Sequence, residues 1–173
     1  ALTSGSNNIA IGRDTLGSNT TASNNTAVGY QALKANTTGT SNTAIGRNSL
    51  QANTTASDNT ASGMYSLYTN TTGTGNTANG RSALFSNTTG SNNTGVGVQA
   101  LEPNTTASNN TAVGYQSAAS NTTGANNTFM GRRAGFNVTT GNQNTMLGGN
   151  SAVTLTTGSN NVLIGYATNA DNA

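Results

Sequence analysis

Apolar residues along this chain keep a fixed beat. In NTAVGYQALKANTTGTS, residues 25–41, Ala27, Val28 and Leu33 recur at set places among Asn, Thr, Ser and Gly. The unit returns every 17 residues, and its clearest marker is glycine at Gly12, Gly29, Gly46, Gly63, Gly80, Gly97, Gly114, Gly131, Gly148 and Gly165. An asparagine precedes each by four places, at Asn8, Asn25, Asn42, Asn59, Asn76, Asn93, Asn110, Asn127, Asn144 and Asn161. A strict period of this kind means one supersecondary unit stacked on itself.

Numbering each coil from that Asn makes the pattern explicit. Positions 2 to 5 read Thr, Ala, Val or Ile, then Gly; position 8 is small; position 9 is Leu from Leu16 to Leu101; positions 12 to 14 read NTT in seven consecutive coils. Runs of Asn, Thr and Gly disfavour helix, and 17 residues hold no helix of usual length beside a turn. The expected coil has one strand near Thr26–Tyr30, a second near Leu33–Thr38, and Asn/Gly corners such as Gly39–Asn42. The fold class is then all-β: a parallel β-solenoid of ten 17-residue coils, with residues 1–173 as a single domain. Rungs about 4.8 Å apart would give a rod on the order of 48 Å long.

In this reading positions 4 and 9 line the interior, and position 8 stays small where coil walls meet. The leading ladder of Asn25, Asn42, Asn59, Asn76, Asn93 and Asn110 sits at a corner, its amides bonding to the copies above and below. Gly29, Gly46, Gly63, Gly80, Gly97 and Gly114 mark a bend or a close backbone approach. Ser62 and Asn79 interrupt position 4 with polar groups. From Phe129 onward large residues enter position 3 (Phe129, Met146, Leu163), while position 9 shrinks to Ala118, Gly135 and Ala152, then becomes Asn169. Interior volume is thereby kept. Two or three apolar residues per coil make a thin core, so further burial between chains in a symmetric homo-oligomer is expected.

Composition narrows the chemistry. Only 6% of residues are charged, the formal net charge is +2, and neither Cys nor His occurs. Disulfides and thiolate metal sites are excluded, and the commonest general base and metal ligand are missing. The carboxylates Asp14, Asp58, Glu102 and Asp171 occupy different coil positions, with no acid/base pair in view. No calcium-loop motif appears. The expectation is no enzyme activity, no cofactor and no metal. Nucleic acid is a poor partner at this charge, and no stretch nears the roughly 20 apolar residues of a membrane span. The chain opens and closes within a repeat, and reads as a mature chain or a piece of a longer fibre.

The units NTAVGYQAL, NTAIGRNSL and NTAVGYQSA, linked by NTTG or NTTA, resemble the repeats of trimeric autotransporter adhesin heads. They are also similar to repeats in phage tail fibres and in bacterial surface proteins ending in an intramolecular chaperone domain. The shared element is N-x-A-[VI]-G followed by a small residue three places later, and it covers nearly the whole chain, weakening after Phe129. The resemblance implies a left-handed parallel β-roll assembled as a homotrimer in an extracellular rod.

Three surface features are candidates for function. Position 6 carries Arg13, Tyr30, Arg47, Arg81, Tyr115 and Arg132, a stripe able to stack as cation–π pairs and grip surface glycans, or to line a contact between protomers. Asn19, Asn36, Asn53, Asn70, Asn87, Asn104 and Asn121 each open an N-x-T glycosylation sequon, as do Asn24 and Asn109. The NTT ladders also raise ice binding, although alternation along a strand puts one of the two threonines outward per coil. The leading expectation is a structural extracellular fibre segment of an adhesin, secreted fibre or virion tail, acting as stiff spacer and attachment surface. A close variant is the subunit of an end-to-end filament, and an ice-binding solenoid is the alternative.

Overall fold

The computed structural model describes residues 4–168. It is a parallel β-solenoid with ten three-residue strands: β1 (Ile9–Ile11), β2 (Thr26–Val28), β3 (Thr43–Ile45), β4 (Thr60–Ser62), β5 (Thr77–Asn79), β6 (Thr94–Val96), β7 (Thr111–Val113), β8 (Thr128–Met130), β9 (Thr145–Leu147) and β10 (Val162–Ile164). They form one sheet in sequence order, every neighbour parallel and offset by one period, as in Thr26↔Thr43, Ala27↔Ala44 and Val28↔Ile45. Asn169 and Asp171 lie outside the described residues.

Each coil has one strand, not two. The stretch expected as the second, residues 33–38, is turn over 33–35 and bend at 37–38. The backbone enters the left-handed region at Gln31 (φ 55°), just before this stretch, and at Leu33 (φ 49°), and the same occurs at positions 7 and 9 of the other coils among the described residues. A bulky residue there costs on the order of 1–2 kcal/mol, which only a position fixed by its surroundings sustains. Stacking survives without strand geometry: Leu33 N donates to Ser49 O (3.1 Å), Ala35 N to Gln51 O (3.1 Å) and Thr37 N to Thr54 O (2.9 Å). The third left-handed corner, position 17, holds Asn24, Ser41, Asp58, Gly75 and Asn92, residue types that tolerate this region through small or locally bonding side chains.

The interior is built from positions 1, 3, 8, 9 and 12. Ala27, Ala44, Ala61, Ala78 and Ala112 are fully buried at position 3, facing Leu33, Leu50, Leu67, Leu84 and Leu101 at position 9. Position 4, expected inside, faces out: Ile11 is 60% exposed, and Ile45, Met130 and Ile164 are also exposed. Successive side chains on a strand take opposite faces, so a buried position 3 forces positions 2 and 4 outward. This explains why Ser62 and Asn79 are tolerated at mid-rod. At position 5, Gly29 has φ +126° and Gly46 φ +133°, and a Cβ on Gly29 would lie 2.7 Å from Gly46 O. Both the turn and the close approach require glycine.

Two asparagine ladders run through the interior, the first along the whole stack and the second as far as Asn121. In the first, each backbone N–H donates to the previous Asn Oδ1 (Asn42 N to Asn25 Oδ1 3.0 Å, Asn76 N to Asn59 Oδ1 2.9 Å), while Nδ2 reaches a carbonyl of the next corner (Asn42 Nδ2 to Ala56 O 2.8 Å, Asn59 Nδ2 to Gly73 O 2.9 Å). The leading Asn thus reaches the following coil through its side-chain amide and the preceding coil through its backbone N–H. The second ladder is position 12: Asn53 Nδ2 donates to Asn36 Oδ1 (3.0 Å), Asn70 to Asn53 (3.0 Å), Asn87 to Asn70 (2.9 Å) and Asn104 to Asn87 (2.9 Å). Buried amides bonded in this way stabilise the stack where too little apolar surface is available, and within the two ladders only Asn121 Oδ1 is buried without a partner among the described residues.

Candidate functional surfaces

The outward face of the sheet is the most regular surface of the molecule. Position 2 supplies threonine from Thr26 through Thr145, with Ile9 and Val162 at the outer strands, and position 4 supplies Ile11, Val28, Ile45, Ser62, Asn79, Val96, Val113, Met130, Leu147 and Ile164. Both files are half-buried or exposed at every strand, and neither contains a charge. A Thr-x-aliphatic pair therefore recurs in register at β2, β3, β6, β7 and β9, with Met130 in the aliphatic place at β8 and Ser62 and Asn79 interrupting it at β4 and β5. The sequence reading looked for outward threonines in NTT and missed this array. The signal was present in the strand triplets Thr-Ala-Val and Thr-Ala-Ile, once position 3 is taken as the inward residue.

The NTT threonines divide as expected. At position 13 the hydroxyl turns back to the stack, with Thr37 Oγ1 donating to Thr54 O (3.0 Å) and Thr71 Oγ1 to Thr88 O (3.0 Å). At position 14, Thr21, Thr38, Thr55, Thr72, Thr89 and Thr106 are exposed in single file.

The sequon asparagines of NTT are corrected by burial. Asn19, Asn36, Asn53, Asn70, Asn87, Asn104 and Asn121 are all 0% exposed. Their Nδ2 atoms, which a glycan would have to occupy, donate within the core, as Asn36 Nδ2 does to Gly39 O (2.9 Å). A sugar at any of these positions is incompatible with the folded coil. Asn24 and Asn109 are exposed at the position 17 corner, and so are Asn92 and Asn126, which open the same NNT sequon.

Within the position 6 stripe, Arg13 lies 6.0 Å from the Tyr30 ring centroid and Arg47 lies 5.9 Å from it. Arg47 also approaches Tyr65 (5.7 Å), which leads the contacts off the stripe into an aromatic cluster. Tyr65 meets Tyr68 edge-on at 5.5 Å, and Tyr68 stacks on Phe85 at 5.1 Å with 13° between the planes. Arg81, Tyr115 and Arg132 are exposed and stand apart from this chain of ring contacts. Of the stripe, Arg13, Tyr30 and Arg47 are gathered with Tyr65, Tyr68 and Phe85, and Arg81, Tyr115 and Arg132 are left separate.

Beside that cluster, an open groove of about 310 Å³ is lined by Ser18, Lys34, Ala35, Gln51, Ala52 and Tyr68. The described carboxylates are dispersed: Asp14 lies beside Arg13 (Nε–Oδ2 3.7 Å), Glu102 accepts from Gln99 Nε2 (2.8 Å), and Asp58 stands on an exposed corner. Among the described residues no cluster of His, Cys, Asp and Glu has metal-binding arrangement, and no helix is long and apolar enough to cross a membrane. Comparison with known proteins returns no matching family model, curated protein or solved structure.

Proposed function

We propose that this chain is a non-enzymatic, extracellular structural rod, a segment of an adhesin- or tail-fibre-like fibre that serves as a stiff spacer and attachment surface. One observation carries the reading: the two files of buried asparagines are spent on the axial stack. The asparagines of positions 1 and 12 bond to the coils beside them, and few buried polar atoms are left for chemistry. Such a lattice resists bending and adds length by repetition, which are a spacer's requirements.

The outward sheet face is the surface we assign to self-association. Val28, Ile45, Val96, Val113, Met130 and Leu147 form an aliphatic file that the single chain leaves uncovered. A partner matching it rung for rung needs the same axial repeat, and a second copy of the chain has it by construction. A closed symmetric assembly of three copies around this face is the arrangement the adhesin resemblance implies. End-to-end filament growth is a variant, in which open rungs rather than the sheet face make the contact.

The same face favours a second reading from another class. An uncharged, in-register file of threonines beside a largely apolar file has features of an ice-binding surface, and it is broader than the NTT file. Light scattering and freezing-point hysteresis on the purified protein separate the readings. A discrete oligomer without hysteresis supports the rod. A monomer with hysteresis that Thr111→Lys abolishes supports ice binding.

A further inference from the structure

The groove lined by Ser18, Lys34, Ala35, Gln51, Ala52 and Tyr68 exists because the repeat is broken there in a particular way. Position 11 is alanine in two adjacent coils, Ala35 and Ala52, and becomes Thr69, Ser86 and Pro103 in the next three. Two small residues in succession lower the floor. Position 10 provides the polar side, Lys34 then Gln51, and closes it with Tyr68. That ring is held in place: Phe85 stacks against it, and Tyr65 meets its edge. The Gln51 amide is oriented as well, its Nε2 donating to Gln31 Oε1 (3.2 Å) and its Oε1 accepting from Asn48 Nδ2 (3.1 Å). Lys34 has no carboxylate partner among the described residues, and Arg47 adds a second cation against the Tyr65 ring (5.7 Å to its centroid).

A fixed aromatic ring, an oriented amide, a hydroxyl and an unpaired ammonium in an open groove are the elements that recognise a charged pyranose. The C–H face of the sugar stacks on the ring, its hydroxyls meet the amide and Ser18, and its carboxylate meets Lys34. A volume of about 310 Å³ lies at the small end of ligand sites and fits one or two sugar units. We infer that this groove is a binding site for an acidic saccharide, a uronic-acid or similar carboxylated sugar of a polysaccharide. Single-site affinity in so shallow a groove is weak, and effective attachment comes from several copies engaging one polymer. The inference deepens the attachment role proposed above but does not require self-association, since all six residues belong to one chain.

The test is an NMR titration of the isotope-labelled protein with trigalacturonate and, separately, with a neutral galactose trimer. The acidic probe is expected to shift resonances of Ala35, Ala52 and Tyr68, and to bind at least fivefold more tightly than the neutral one. Tyr68→Ala should weaken binding at least fivefold. Ala52→Gln, which fills the floor and keeps every ring of the aromatic cluster, should do the same, so a folding defect in the first variant leaves the second decisive. Lys34→Gln should abolish the preference for the acidic probe, while Tyr115→Ala should bind as the native chain does. Absence of localised shifts, equal affinity for the two probes, or undiminished binding by Ala52→Gln would overturn the inference. Light scattering on the same samples distinguishes it from the rod reading: saccharide binding by a monomer leaves this site standing and removes the oligomer.

Discussion

In coils two to five, alanine sits under the strand and a leucine fills the interior from position 9; in coils eight and nine, Phe129 and Met146 come from the strand while Gly135 and Ala152 withdraw at position 9. The two halves keep the same backbone path, the same left-handed φ at position 9 (Leu67 48°, Ala152 58°) and the same register. What changes is which wall supplies the bulk. The exchange is tight: a Cβ added to Gly135 would lie 2.2 Å from Phe129 ring atoms. The Asn ladder of position 12 changes in the same region, ending at Asn121 and giving way to buried Val138 and then Leu155. Volume is conserved across the seam, but hydrogen bonding is not closed there: Asn121 Oδ1 is buried without a partner. A solenoid of this type therefore exchanges apolar bulk between facing walls freely, whereas a polar ladder must leave an open bond where it stops.

The largest effect should come from forcing the first rule onto the second region. Gly135→Leu places a side chain where Phe129 already sits, at a left-handed φ of 60°, and is expected to destabilise the fold by about 3 kcal/mol or more in chemical denaturation. Phe129→Ala together with Gly135→Leu should recover most of that loss, because the pair then matches coils two to five. A double variant no more stable than Gly135→Leu alone would mean that the halves are not interchangeable.

Next in size is a break inside the polar ladder. Asn70→Ala removes the donor to Asn53 Oδ1 and one acceptor of Asn87 Nδ2, leaving a cavity and an orphaned oxygen, and should cost about 2–3 kcal/mol. Asn121→Val, by contrast, only moves the existing boundary one rung. The orphan passes from Asn121 Oδ1 to Asn104 Oδ1, Gly124 O keeps its bond from Asn110 Nδ2, and the change should stay within about 1 kcal/mol. Equal costs for these two substitutions, measured by thermal unfolding, would contradict the ladder account.

The smallest effect is reserved for the outward file. Asn79→Ala at exposed position 4 should alter unfolding stability by less than about 0.5 kcal/mol, whereas Ala78→Asn one residue earlier should cost several times more by burying an unpaired amide. The reverse ranking would return position 4 to the interior.

How much of this was legible in the sequence follows from what a period can and cannot carry. The 17-residue beat fixed the parallel register and the solenoid, and the exchange of Phe129 for the leucine of position 9 pointed at positions that share one space. That same exchange should have identified position 3 as inward. Hydrophobicity misled, because alanine is a weak apolar signal beside Val and Ile, and a three-residue strand offers too few residues to read alternation. The missing second strand was hidden because leucine gives no hint of a left-handed backbone, which here is imposed by stacking. The sequons of NTT describe a chemical motif and say nothing of exposure; Asn36 and Asn87 are buried. The groove was invisible because it depends on two coils sharing Ala35 and Ala52 at a position that varies elsewhere.

The assignment of the outward sheet face to contact between copies is most directly tested by sedimentation equilibrium of the native chain and of Val113→Lys, a substitution on the exposed side of β7. The account predicts a discrete small multiple of the 17.2 kDa chain for the native protein, threefold in the arrangement favoured above, and 17.2 kDa for Val113→Lys with the coil still folded. A native protein that sediments at 17.2 kDa at every concentration, or an assembly indifferent to the lysine, would contradict it.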